Sequence, residues 1–207
     1  MKFLRNNGLS LVLAALFLFF WAGQALTGFK VRNADALDHH GQPVSFSHYL
    51  ASAHFWQATG ENWESEFLQM GCYVVLTTFL FQRGSAESLD PDDEAGRQEE
   101  NAKSKRKATW LYRNSLSLAF LALFLISFGI HTAGGLYQWN EERLEHQQPP
   151  EGLAAFWADP EFWFQSFQNW QSEFLAVFSI VVLSIFLRQH GSPESKAVDE
   201  PNSKSGK

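Results

Sequence analysis

Cysteine is almost missing: Cys72 is the one cysteine in 207 residues, which excludes a disulfide framework and any multi-cysteine metal or redox motif. Charge is scarce as well. Charged residues make up 18% of the chain, below the roughly 25% usual for soluble domains, and the formal net charge of -6 is wrong for binding nucleic acid. The sequence also lacks a phosphate loop, a dinucleotide fingerprint and a nucleophile elbow, so no enzyme and no cofactor is expected. What the chain has in quantity is apolar surface, 45% of residues, with 15% aromatic, too much for a disordered protein. These residues gather into four long runs, and the mean hydropathy of -0.20 averages those runs with very polar connections.

A self-comparison at an offset of 107 aligns Leu9 to Ser88 with Leu116 to Ser195 without a gap, and 31 of the 80 pairs are identical. Asn62-Trp63-Glu64-Ser65-Glu66-Phe67-Leu68 pairs with Asn169-Trp170-Gln171-Ser172-Glu173-Phe174-Leu175. The loops match along with the apolar runs, so one structural unit has been duplicated in tandem. Each unit holds a long apolar run, a loop, and a shorter apolar run with a polar anchor.

The first runs, Leu9 to Phe29 and Leu116 to Leu136, contain no charged residue and are long enough to cross a hydrocarbon core of about 30 Å. The second runs are shorter, and the repeat together with the charges marks them as spans too. The expectation is therefore an all-α membrane protein of four transmembrane helices, arranged as two tandem hairpins of the same orientation. Residues 1–88 form the first hairpin, with spans near 9–29 and 63–82, and 109–195 form the second, with spans near 116–136 and 170–188. A charged linker, 89–108, joins them, and 196–207 reads as a disordered tail because it offers almost nothing to bury. Lys2 and Arg5 before the first run also fit a cleaved signal peptide, but its counterpart at Leu116 lies mid-chain, which favours retention.

Thirteen of the 16 basic residues fall at the termini and the 83–113 connection, against Lys30, Arg32 and Arg143 in the other two loops. The positive-inside bias then places both termini in the cytoplasm of an inner membrane. The outer loops end in aromatic segments, Phe55-Trp56 to Trp63 and Phe156-Trp157 to Trp170, which suit the headgroup boundary. Expected partners are the lipid bilayer and a second copy or another membrane protein.

Glu66 and Glu173 lie about one turn inside the outer ends of the second and fourth spans, and a carboxylate at that depth needs a partner. Gln24 and its counterpart His131 sit at similar depth, so Gln24, Glu66, His131 and Glu173 form a candidate polar cluster. Its bland reading is interhelical contact; its sharper reading is a proton or cation site. Asn62, Trp63, Ser65, Asn169, Trp170 and Ser172 form the candidate interfacial motif. An outer metal site drawn around His39 and His146 lacks the paired spacing that metal-binding histidines show on a helix.

With Asn-Trp-Gln-Ser-Glu-Phe-Leu at 169–175 and Arg-Gln-His-Gly-Ser-Pro-Glu-Ser at 188–195, the chain resembles a bacterial family of uncharacterised four-helix membrane proteins, a domain of unknown function. That resemblance implies an inner-membrane location and no reaction. The first copy departs from the pattern with Glu64 against Gln171, and with Gly-Ser-Ala-Glu-Ser at 84–88 against Gly-Ser-Pro-Glu-Ser, so the copies are not expected to act identically.

Overall fold

The computed structural model describes residues 2–38, 41–92 and 109–206, and every regular element among them is helical. They are α1 (Lys2–Asp38), α2 (Phe46–Leu50), α3 (Ala53–Leu76), α4 (Trp110–Arg113), α5 (Ser115–Glu145), α6 (Leu153–Ala158) and α7 (Pro160–Phe186). Most of the linker, 93–108, lies outside the described residues. The chain divides into two compact units, 1–59 with 133–150 and 60–132 with 151–207, a division that falls within α3 and within α5.

Among the described residues three helices, α1, α5 and α7, are long and apolar enough to cross a membrane. Their apolar residues point outward: Leu9, Val12, Leu13, Phe19 and Phe20 on α1 are all exposed. A stripe of that size in water would drive aggregation, whereas hydrocarbon accepts it. The remaining expected span, the second in chain order, differs. α3 runs from 53 to 76 rather than 63 to 82, carries Glu61, Glu64 and Glu66 through its middle, and stops before the apolar Phe79-Leu80-Phe81.

Both second helices begin ten residues earlier than their aromatic segments suggested. Capping is the cause. The Ser52 hydroxyl accepts from the Phe55 amide (3.4 Å), and Asp159 accepts from the Glu161 amide (2.8 Å) with Pro160 next in the first helical position. The aromatic stretches from Phe55 and Phe162 are thus the first turns of α3 and α7, and the short helices α2 and α6 precede them.

The same local geometry recurs 107 residues apart. The starts of α2 and α6, at 46 and 153, and of α3 and α7, at 53 and 160, keep that offset. Trp56 donates its indole N–H to Leu50 O (3.0 Å), as Trp163 does to Trp157 O (2.8 Å). The Gly-Ser-x-Glu-Ser segments close identical turns. Gln82 N donates to Ser88 Oγ (2.8 Å) and Gln189 N to Ser195 Oγ (2.9 Å), while Glu87 N and Glu194 N each donate to a serine two residues back at 3.1 Å. Gly84 and Gly191 have φ of 83° and 79°, a left-handed conformation open to glycine without strain.

In the first unit a core of Ala25, Tyr49 and Phe55 is packed by Trp21, Phe29, Val44 and Leu50. Asn33 clamps Val44 through both of that residue's backbone groups, at 3.1 and 2.8 Å, which returns the chain from α1 toward α2. In the second unit the expected disordered tail is instead laid in turns over 196–206. The Lys196 side chain is buried, with Nζ donating to the carbonyls of Gly84 (2.5 Å), Lys204 (3.0 Å) and Asn202 (3.3 Å). Composition foresaw no order there because the organising group is one ammonium and a ring of backbone oxygens, with no apolar core. Burial, and behind it the Arg188 cation, hold the Lys196 pKa below the usual lysine range.

Candidate functional site

Gly60 lets α3 and α5 approach within the second unit. A Cβ at Gly60 would lie 2.6 Å from His131 N, 2.9 Å from the Ile130 side chain and 3.0 Å from Ser127 O. One turn further along α3 is Glu64, and directly beside that contact on α5 is His131. Both side chains are 0% exposed. Gly60→Ala is therefore expected to destabilise the protein by about 1–3 kcal/mol, since backbone cannot yield as a flexible side chain can. Thermal unfolding in detergent measures this, and Gly129→Ala, where a Cβ meets nothing within 4 Å, is the control.

Glu64 is held on both oxygens. Its Oε2 lies 3.1 Å from His131 Nδ1, and its Oε1 accepts from Ser166 Oγ (3.0 Å) and Trp170 Nε1 (3.3 Å). The imidazole stacks on Phe162 at 4.9 Å and 22°. Phe162, 1% exposed, is itself packed by Phe128, Phe156 and Trp163. His131 Nε2 is buried and has no hydrogen-bond partner among the described residues. An ionised carboxylate on Nδ1 selects, for a neutral imidazole, the tautomer with its hydrogen on that nitrogen, which leaves the lone pair on Nε2.

From this pair a polar series leads to the surface. Glu61, half-buried one turn before Glu64, accepts from Asn169 Nδ2 (2.5 Å) and lies within electrostatic reach of His131, Glu64 and Glu161. Asn169 also donates to Gln165 O (3.2 Å), and the Gln165 amide donates to the exposed Glu161 (3.4 Å).

Of the four residues proposed from sequence for the polar cluster, His131 is at this centre. The carboxylate bonded to it is Glu64, and Glu66 is exposed. Glu173 is half-buried, close enough to Glu66 for mutual repulsion, and its backbone oxygen accepts from Gln69 at 3.5 Å. Gln24 lies in the first unit and donates to Thr59 Oγ1 (3.2 Å). Glu66, singled out by its depth, is thus two residues along α3 from the carboxylate that pairs with His131. Gly60 draws the Glu64 face inward, and Ser65 and Gln69 are buried beside it. In the interfacial motif, Ser65 and Ser172 each donate to the carbonyl three residues back, Asn62 and Asn169, at 2.7 and 2.8 Å. Of that motif, Trp170 and Asn169 join the buried site or its border through the bonds given above, and Trp63 is half-buried. His39 is outside the described residues. His146 is exposed, with Nδ1 2.9 Å from Glu142 O, and no group of three His, Cys, Asp or Glu suited to a metal occurs among the described residues.

The sequence signal for this site was the departure between the copies. Offset by 107, His131 replaces Gln24, Glu64 has Gln171 as its counterpart, and Ser166 answers to Thr59. In the first copy Gln24 and Thr59 bond to each other; in the second, Glu64 bridges His131 and Ser166. Gln171 is exposed and donates to Gln168 O.

The chain belongs to the family described as Domain of unknown function (DUF6766), whose model matches residues 1–207. No curated protein and no solved structure matches it.

Proposed function

From membership of a family with no assigned activity, we propose that this chain is a non-enzymatic integral protein of the bacterial inner membrane that acts through its outer aromatic segments on an envelope partner or on lipid. In this reading four spans form two tandem hairpins with both termini in the cytoplasm, α3 being the second span. The distribution of basic residues and the recurrence of cap, indole and turn geometry at an offset of 107 support it. The carrying observation is the pair of anchored tryptophans. Each spends its indole N–H on the backbone at the end of the preceding short helix, which fixes α2 on α3 and α6 on α7 and leaves Phe46, Trp56, Trp157 and Phe164 exposed. Rigid, exposed aromatic surface of this kind suits recognition at a membrane boundary.

A photo-crosslinking residue at Phe164, in intact membranes, tests the reading. A discrete protein or lipid adduct absent from the same probe at Leu125, in the apolar span of α5, is expected. A product pattern no different from that at Leu125 contradicts it.

The buried histidine–carboxylate pair favours a second reading, a small proton or cation translocator. Glu64 takes the leading place in it, with Glu66 and Glu173 as the secondary carboxylates. Reconstituted liposomes separate the two readings: the first expects no flux above empty vesicles, and the second expects a flux that Glu64→Gln abolishes.

A further inference from the structure

We propose that His131, Glu64 and Ser166 form a proton-binding site in which Nε2 of His131 takes the proton, reached from the outer face through Glu161 and Glu61. The site goes beyond the interaction reading and does not require net transport.

Three observations carry it. The first is the lone pair. With Glu64 accepting the Nδ1 hydrogen, Nε2 is the remaining basic atom of a fully buried ring, and nothing among the described residues donates to it. The second is the charge balance. A neutral imidazole beside a carboxylate leaves one buried negative charge; a proton added to the Nε2 lone pair gives an imidazolium–carboxylate pair of zero net charge, with no other bond made or broken. Ser166 and Trp170 both donate to the other oxygen of the carboxylate, contacts that an ionised carboxylate accepts in either state of the ring. The carboxylate within electrostatic reach of the pair is Glu61 on α3, and the exposed Glu161 on α7 is in turn within reach of Glu61, so the two lead from the ring to the surface.

The third is the broken repeat. The chain already contains a neutral solution for this position, Gln24 bonded to Thr59, which needs no buried charge. Packing alone could have kept that solution in both copies. A titratable group at His131 and another at Glu64 add what two amides cannot supply, an exchangeable proton.

Nitrogen-15 NMR of ring-labelled histidine in nanodiscs tests the site, with the His131 signals assigned by their loss in His131→Gln. As the pH is lowered over a scan from about 8 to about 5, the His131 Nε2 signal is expected to move from unprotonated to protonated while Nδ1 stays hydrogen-bonded. Glu64→Gln should displace that titration and break the Nδ1 signature. An imidazole that keeps one protonation state across the range, whether neutral or charged, overturns the proposal, because a purely structural pair behaves in that way. The route has its own measurement, made in sealed, oriented vesicles. A pH jump on the side of α2 and α6 should reach the ring, and Glu61→Gln should slow the response while leaving its midpoint in range. A ring that answers only to the opposite side overturns the route.

Discussion

Replacing Glu64 or His131 alone with alanine should cost about 3–5 kcal/mol of unfolding free energy, because each change leaves a buried partner without its counter-group. Glu64→Ala strands more than the imidazole: Ser166 Oγ and Trp170 Nε1 also lose their acceptor. The double variant Glu64→Gln/His131→Gln installs the residues that the other copy carries at these positions, Gln171 and Gln24, and should recover much of the loss. Reversible unfolding in detergent of Glu64→Gln, His131→Gln and the double variant, arranged as a double-mutant cycle, is the measurement. A coupling of more than about 1.5 kcal/mol is expected for groups in direct contact, and additive losses would show that the two side chains do not act as a pair.

Lys196→Met should release the end of the chain and cost about 3 kcal/mol, since the carbonyls of Gly84, Asn202 and Lys204 lose a charged donor and remain turned inward. Arginine should not restore the turn. Its guanidinium is a planar fork, while these oxygens converge on a compact ammonium. The effect should extend to residues 84–88, because Gly84 N donates to Ser205 Oγ and Gly206 N to Ser85 O. Limited proteolysis reads it directly: wild-type protein should resist cleavage after Lys196 and Lys204, and the variant should be cut at Lys204.

Much of the helical architecture was legible in the sequence because its causes are local and periodic. Runs without charge gave α1 and α5, and the repeat read at an offset of 107 is matched by like turns at 84–88 and 191–195, glycine conformation included. What escaped depended on contacts distant in sequence. The face that α3 buries is chosen by Gly60 lying against the backbone of α5, so depth along the span pointed to Glu66, two residues away from the carboxylate that pairs with His131. The tail escaped for a related reason: backbone oxygens brought together by turns leave no trace in composition. The site itself was half visible. His131 was singled out by its depth, whereas Glu64 was noticed only as a mismatch with Gln171, although that mismatch was the clue.

The membrane setting of Glu64 and His131 rests on α3, the long helix that is not among the three apolar enough to cross a membrane on length and composition, crossing the bilayer. A topology reporter fused at Glu94, after α3 and before α4, decides this most directly. If α3 spans, the reporter lies in the cytoplasm together with one placed after Lys207, while fusions near Gln42 and Gln148 report the outside. A Glu94 fusion that reports the outside would contradict the four-span arrangement and remove the buried pair from the membrane.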